Sequence, residues 1–266
     1  MNIILLKYFD RLNQEIADFT RYILPSPAET KAREQTARLI ANIVEQDSNG
    51  QFKSVMFGSN ASGYGLGMAD VDIRLCLPKR EHQITAPNRD EMLLLEEYLQ
   101  RVQGLLLQSG FRQAKFLRSR VPLVDAIHDE SGIRVQIVST NSTRLSHAYI
   151  KQQMELHPDL LSVYAVAKVL LKIRNLMDVW RGGIGSYTLI NMVIASLKLL
   201  PSESLGENLV NFLDFYSKLE TRKSTVGLIP PAIHEKYHSK HDFSDLPQNP
   251  TTEQLVRLYV CANSFF

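Results

Sequence analysis

From residue 26 to residue 48 the apolar positions Ala32, Leu39, Ile40, Ile43 and Val44 recur at three- and four-residue spacing, one face of a helix. Ser26-Pro27-Ala28-Glu29 marks its start, with a serine N-cap, proline at the first helical position and a glutamate closing a capping box. The N-terminal segment therefore reads as helical, ending near Asp47-Ser48-Asn49-Gly50. The period then changes. Ser54-Val55-Met56-Phe57 and the alternating run Val71 to Leu77, closed by Pro78, read as strands. A long helix is expected over 89–108, with Met92, Leu95, Leu99, Val102 and Leu106 along one stripe and Ser109-Gly110 as its stop. Two more strands, 121–127 and 133–138, flank the polar turn Asp129-Glu130-Ser131-Gly132. Beyond Asn141 the pattern is helical, with helices expected over 161–177 and 187–200 and a weaker one over 209–220. The stretch from His234 to Pro250 reads as loop. The pattern predicts an α+β fold, a small mixed sheet with a helix packed on it at 51–140 and a helical domain formed from both chain ends, 1–50 and 141–266.

With 266 residues and 44% of them hydrophobic, the chain can bury a substantial core, and its length suits one bilobed unit or two small domains better than a single compact domain. A net charge of +2 tolerates nucleic acid without announcing it. Cys76 and Cys261 offer neither a disulfide framework nor zinc-ligand spacing, which points to a reducing intracellular compartment and to oxygen ligands for any metal. No apolar run approaches the roughly 20 residues that span a bilayer, so no membrane partner is expected. The end on Phe265-Phe266 is an odd place for a natural terminus, and the helical C-terminal domain is expected to be shortened or truncated.

Chemistry concentrates between Phe57 and Ile73. Asp70 and Asp72, two residues apart on a strand, point to one face while Val71 and Ile73 face the core. Paired carboxylates suit hard cations such as Mg²⁺, and nucleotidyl transfer uses such ions to activate a hydroxyl and hold a triphosphate. Gly58-Ser59 follows a strand, where glycine lets the backbone approach a phosphate and serine can bind its oxygens. An isolated Asp-x-Asp is usually a solvated strand face. Gly63-x-Gly65-x-Gly67 precedes a strand instead of opening a helix, so a dinucleotide-binding reading fails.

Gly58-Ser59, Ser62-Gly63 and Asp70-Val71-Asp72-Ile73 together resemble the signature of the template-independent RNA nucleotidyltransferases, the poly(A) polymerases and terminal uridylyltransferases of the DNA polymerase β superfamily. Arg120-Val121-Pro122 is similar to that family's Arg-Val-Pro strand, Lys168 and Lys172 to its lysine pair, and Gly185-Ser186-Tyr187 to its Ser-Tyr turn, with Ser186 expected as a helix N-cap. The resemblance covers about residues 50–215. It implies a nucleotidyltransferase palm in which Asp70 and Asp72 bind Mg²⁺ or Mn²⁺. Gly58, Ser59, Lys168, Lys172 and Ser186 would hold the triphosphate of ATP or UTP, and Tyr187 would stack on the base. The implied partners are a single-stranded RNA 3′ end and a protein that supplies RNA specificity, in the cytoplasm first and mitochondria second.

The departures matter as much. Gln136 stands at the position of the family's third catalytic aspartate; an amide oxygen brings no negative charge and cannot act as a base. Two outcomes follow, a transferase adding AMP or UMP with weakened activity, or an inactive relative that binds nucleotide or RNA. Asp125 on the neighbouring strand is the one candidate to supply the missing carboxylate. His147 stands where the family uses an asparagine near the ribose, or else faces solvent. Asp245 to Pro250 is a loose echo of the family's base-pocket motif, and His234, His238 and His241 read as loop residues.

Overall fold

The computed structural model of the protein describes residues 3–83, 85, 87–118, 121–140 and 142–235. Arg120, His238, His241, Cys261 and residues 245–250 lie outside them. The chain divides into two compact units, Leu24–His147 and a second made of Met1–Ile23 with Ala148–Phe266.

Helix α1 (Ile3–Ile23) belongs to the second unit, whereas α2 (Pro27–Ser48) belongs to the first. The sequence reading grouped both with the helical domain. Alpha-helix α2 instead buries Ile40 and Val44 in the core beneath the sheet, because its apolar stripe needs a flat hydrophobic face to cover it. Its capping box forms as expected: Ser26 Oγ accepts from the Glu29 amide at 3.2 Å, and the Glu29 carboxylate accepts from the Ser26 amide at 2.7 Å.

The sheet contains β1 (Lys53–Phe57), β2 (Val71–Cys76), β3 (Phe111–Leu117), β4 (Leu123–His128) and β5 (Arg134–Val138), in the order β1-β2-β5-β4-β3. Strands β2 and β5 run parallel and the other neighbours antiparallel. The short helix α3 (Gly58–Ala61) links β1 towards β2, and α4 (Arg89–Gln108) follows β2. Leu95, Leu99, Val102 and Leu106 of α4 meet Val71, Ile73, Leu75, Val124, Val135 and Ile137 in one core. Met92, expected on that stripe, is 53% exposed, since it lies on the helix's first turn, past the reach of the sheet. Strand β3 was not predicted: Gln113 has a positive φ of 56° and the register shifts between Arg112 and Lys115, so its apolar residues do not alternate.

In the second unit α1 is joined by α5 (Arg144–Leu156), α6 (Leu160–Ile173), α7 (Ser186–Leu199), α8 (Leu205–Lys218) and a hairpin of β6 (Ser224–Leu228) and β7 (Pro231–Glu235). Helix α6 stops short of the expected residue 177. Asn175 adopts a positive φ of 57°, a left-handed turn that ends the helical run. His234 sits in β7 and pairs with Thr225, so it is not a loop residue; its strand pairing depends on a partner outside the polar stretch that suggested loop. Asn13 of α1 accepts hydrogen bonds from the Gly206 amide at 2.6 Å and from Ser204 Oγ at 3.1 Å, fastening the first helix to the start of α8. No helix among the described residues is long and apolar enough to cross a membrane.

Candidate active site

The sheet unit carries Gly58, Ser59, Asp70, Asp72 and Gln136; the helical unit carries Lys168, Lys172, Ser186 and Tyr187. Each set is built differently.

On the sheet, Val71, Ile73, Val135 and Ile137 are buried on the helix-covered face, which turns Asp72 and Gln136 to the other. The parallel register sets Asp72 directly beside Gln136, and the antiparallel one sets Gln136 directly beside Asp125. The three side chains thus form a row across adjacent strands, their Cα atoms about 5 Å apart from one strand to the next. Gly58, first residue of α3, has a positive φ of 71°, and a Cβ there would overlap Asp72 Oδ2 and stand 3.0 Å from Asp72 Cγ. Glycine is therefore required twice, by conformation and by the carboxylate seated against it. Ser59 is buried next to it.

Two residues that the sequence reading missed hold this arrangement. Asn60 Nδ2 donates to the Asp70 carbonyl at 2.6 Å, tying α3 to the start of β2. Buried Arg33 of α2 donates to the Gly67 carbonyl in the intervening loop. No sequence signal marks Arg33. For Asn60 the only one is Gly65, where a Cβ would stand 3.1 Å from the Asn60 Cγ. Asn60→Ala is expected to lower any transfer rate about tenfold to a hundredfold, the cost of roughly an ångström of misplacement, while circular dichroism stays native. An unchanged rate would remove Asn60 from the site.

Asp125, the candidate for the missing carboxylate, stands beside Gln136 and is engaged by a neighbour. Arg134 grips both its oxygens, Nε to Oδ1 at 2.7 Å and Nη2 to Oδ2 at 2.9 Å. His147 does not face solvent: it is half-buried, its Nε2 lies 3.0 Å from Thr143 Oγ1, and burial followed by the charge of Arg74 pushes its pKa down.

In the helical unit Lys168 and Lys172 share one face of α6 but not one environment. Lys168 is buried, its Nζ 5.4 Å from the centre of the Tyr164 ring, whereas Lys172 is exposed on the last turn. Tyr164, also missed by the sequence reading, is held protonated by burial and lies next to Ser186, so Lys168, Tyr164 and Ser186 come together. Gly185, not Ser186, is the N-cap of α7, which places Ser186 at the first helical position with its hydroxyl not used for capping. The amides that open this helix favour an anion. Tyr187 and Asn191 line a mostly apolar cavity of about 420 Å³ together with Gly183, Met192, Tyr216 and Val226. Asn191 Nδ2 donates to the Tyr187 carbonyl at 2.8 Å, and its buried Oδ1 has no hydrogen-bond partner among the described residues.

A five-stranded mixed sheet bearing Asp72 on one strand, with Asp70 just before that strand, beside a Gly-Ser helix start is the palm of a nucleotidyltransferase. The family model described as poly(A) RNA polymerase, mitochondrial-like, central palm domain matches residues 12–150, and the chain belongs to that family. It is 26% identical to poly(A) RNA polymerase protein 1 of Eremothecium gossypii over 250 residues, covering 90% of this chain and 38% of the relative. It is 29% identical to terminal uridylyltransferase 7 of Homo sapiens over 198 residues, covering 72% of this chain and 12% of the relative. The chain thus spans well under half the length of these relatives. Among solved structures, the GLD-2/RNP-8 complex has the same fold with a TM-score of 0.74 at 15% identity, over 85% of this chain and 81% of that one. The polymerase core of TRAMP, a RNA surveillance complex, shares it with a TM-score of 0.69 at 22% identity, over 86% of this chain and 72% of that one.

Proposed function

We propose that the protein is a template-independent RNA 3′-terminal nucleotidyltransferase, adding AMP or UMP from the triphosphate, with the pair Asp70 and Asp72 as its catalytic carboxylates. The observation that carries this reading is Gly58 packed against the Asp72 carboxylate, which fixes that carboxylate beside a Gly-Ser turn. The RNA 3′-hydroxyl oxygen would bond to the α-phosphorus, the bond to the β-phosphate oxygen would break, and pyrophosphate would leave while the hydroxyl proton passes to solvent. Ser59, Ser186, Lys168 and Lys172 would hold the phosphates, and the amides that open α7 suit the same charge. Tyr187 would stack on the base, and the Asn191 Oδ1 beside it accepts a hydrogen bond from a base N–H.

The residues fit one divalent cation, Mg²⁺ or Mn²⁺, at Asp70 and Asp72. Among the described residues no group of three or more His, Cys, Asp or Glu side chains is placed to hold a metal. Bound there, the ion would supply electrostatic stabilisation of the triphosphate.

A second reading, a nucleotide- or RNA-binding subunit with little turnover, is favoured by Gln136 beside Asp72 and by the engagement of Asp125 with Arg134. A protein partner would then supply the RNA, or the activity, that this chain lacks. Purified protein incubated with Mg²⁺ or Mn²⁺, labelled single-stranded RNA and each ribonucleoside triphosphate decides between them. Stepwise extension by ATP or UTP supports the transferase. Triphosphate binding without extension supports the binding subunit, and neither binding nor extension defeats both.

A further inference from the structure

The face of the sheet opposite its helices carries Asp72, Gln136 and Asp125 in a row across three strands. Arg134 lies two residues before Gln136 on β5, hence on the same face. Because Val71 pairs with Val135, one step back along both parallel strands brings Asp70 beside Arg134. The guanidinium is anchored by both Asp125 oxygens at 2.7 and 2.9 Å. Those hydrogen bonds stabilise its charge first; the charges of Asp125 and Asp70 add to this against partial burial. Asp70, Asp72 and Asp125 with Arg134 sum to two negative charges, and Arg74, two residues beyond Asp72, and Lys115, opposite Asp125, add positive charge to the same face, so one divalent ion is enough to balance it. A second ion would find an uncharged amide at Gln136, a carboxylate already occupied at Asp125, and a fixed positive charge nearby.

We propose that Arg134 is a built-in cation of this site and sets its metal stoichiometry: Asp70 and Asp72 take one divalent ion, and Arg134 excludes the second. The proposal rests on the reading of those two aspartates as metal ligands. It also explains why Gln136 is not a lone defect. Arg134 is within one pleat of position 136, so restoring a carboxylate there gives the guanidinium a second partner before it gives a metal a third ligand.

Titration of the full chain with Mn²⁺ alone, followed by electron paramagnetic resonance of the free ion, reads stoichiometry and affinity without any turnover. The native protein is expected to take one Mn²⁺. Arg134→Gln, similar in size and uncharged, should tighten binding about tenfold, since it removes a like charge from a half-exposed site. Arg134→Lys, which keeps the charge, should behave as native. Gln136→Asp alone should stay at one ion, and Gln136→Asp with Arg134→Gln should take two. Two ions in the native protein or in the single Gln136→Asp variant, or unchanged affinity in folded Arg134→Gln, overturns the proposal. Asp72→Asn separates the two levels of inference. If it loses Mn²⁺ while Arg134→Gln changes nothing, the ligand reading stands and only the role of Arg134 falls; if it binds Mn²⁺ as the native protein does, both fall.

Discussion

Replacing Asp72 with alanine is expected to lower any 3′-extension rate on the order of a thousandfold, the loss of the several kcal/mol of charge stabilisation that a seated metal provides. Gly58→Ala should come within about tenfold of that loss although it removes no functional group. A methyl at Gly58 must occupy the position of Asp72 Oδ2, and neither the strand nor the short helix behind it can yield without moving the other. The positive φ of 71° adds roughly 1 kcal/mol of its own for a side-chain-bearing residue. Steady-state extension rates beside Mn²⁺ affinity for native, Asp72→Ala and Gly58→Ala proteins check the pair. A folded Gly58→Ala protein with native affinity and rate would show that Asp72 works from a different position.

The largest effect on stability is expected in the core under the same face. Leu99 is fully buried in α4 between the sheet and α2, so Leu99→Ala should cost about 3–5 kcal/mol, the lost transfer energy plus a cavity that close packing cannot heal. That is a large part of the roughly 5–15 kcal/mol that holds a domain together. Leu94→Ala, on the exposed side of the same helix, should change stability by no more than about 0.5 kcal/mol. Urea unfolding of the two variants separates the cases. Equal effects would mean that α4 does not present the face described.

What was legible in the sequence was what local chemistry dictates. Ser26 with Glu29 closed its capping box, Asn49 and Gly50 ended the helix, and alternation from Val71 to Leu77 gave a strand with Asp72 turned from the core. What was not legible depended on partners distant in the chain. Strand β3 hid behind a bulge, and the short hairpin of β6 and β7 lies in a stretch that shows no clear alternation. Asn60, Arg33 and Tyr164 are ordinary polar or aromatic residues until the backbone brings Asp70, Gly67 and Ser186 to them. The pairing of Asp125 with Arg134 was within reach: two strands flanking a tight turn at 129–132 set opposite charges almost face to face, and counting the register outward from the turn finds them.

The order in which the two units become complete also follows from the chain. Residues 24–147 form one uninterrupted piece, whereas the other unit combines residues 1–23 with helices that follow residue 147. During synthesis, which proceeds from the N-terminus, α1 leaves the ribosome first but cannot pack until α6 and α8 exist. The sheet unit, carrying both aspartates, has all its strands before then. A premature stop or a protease cut just past residue 147 would therefore release a fragment able to fold around its own core, tethered to an amphipathic helix with nothing to cover it.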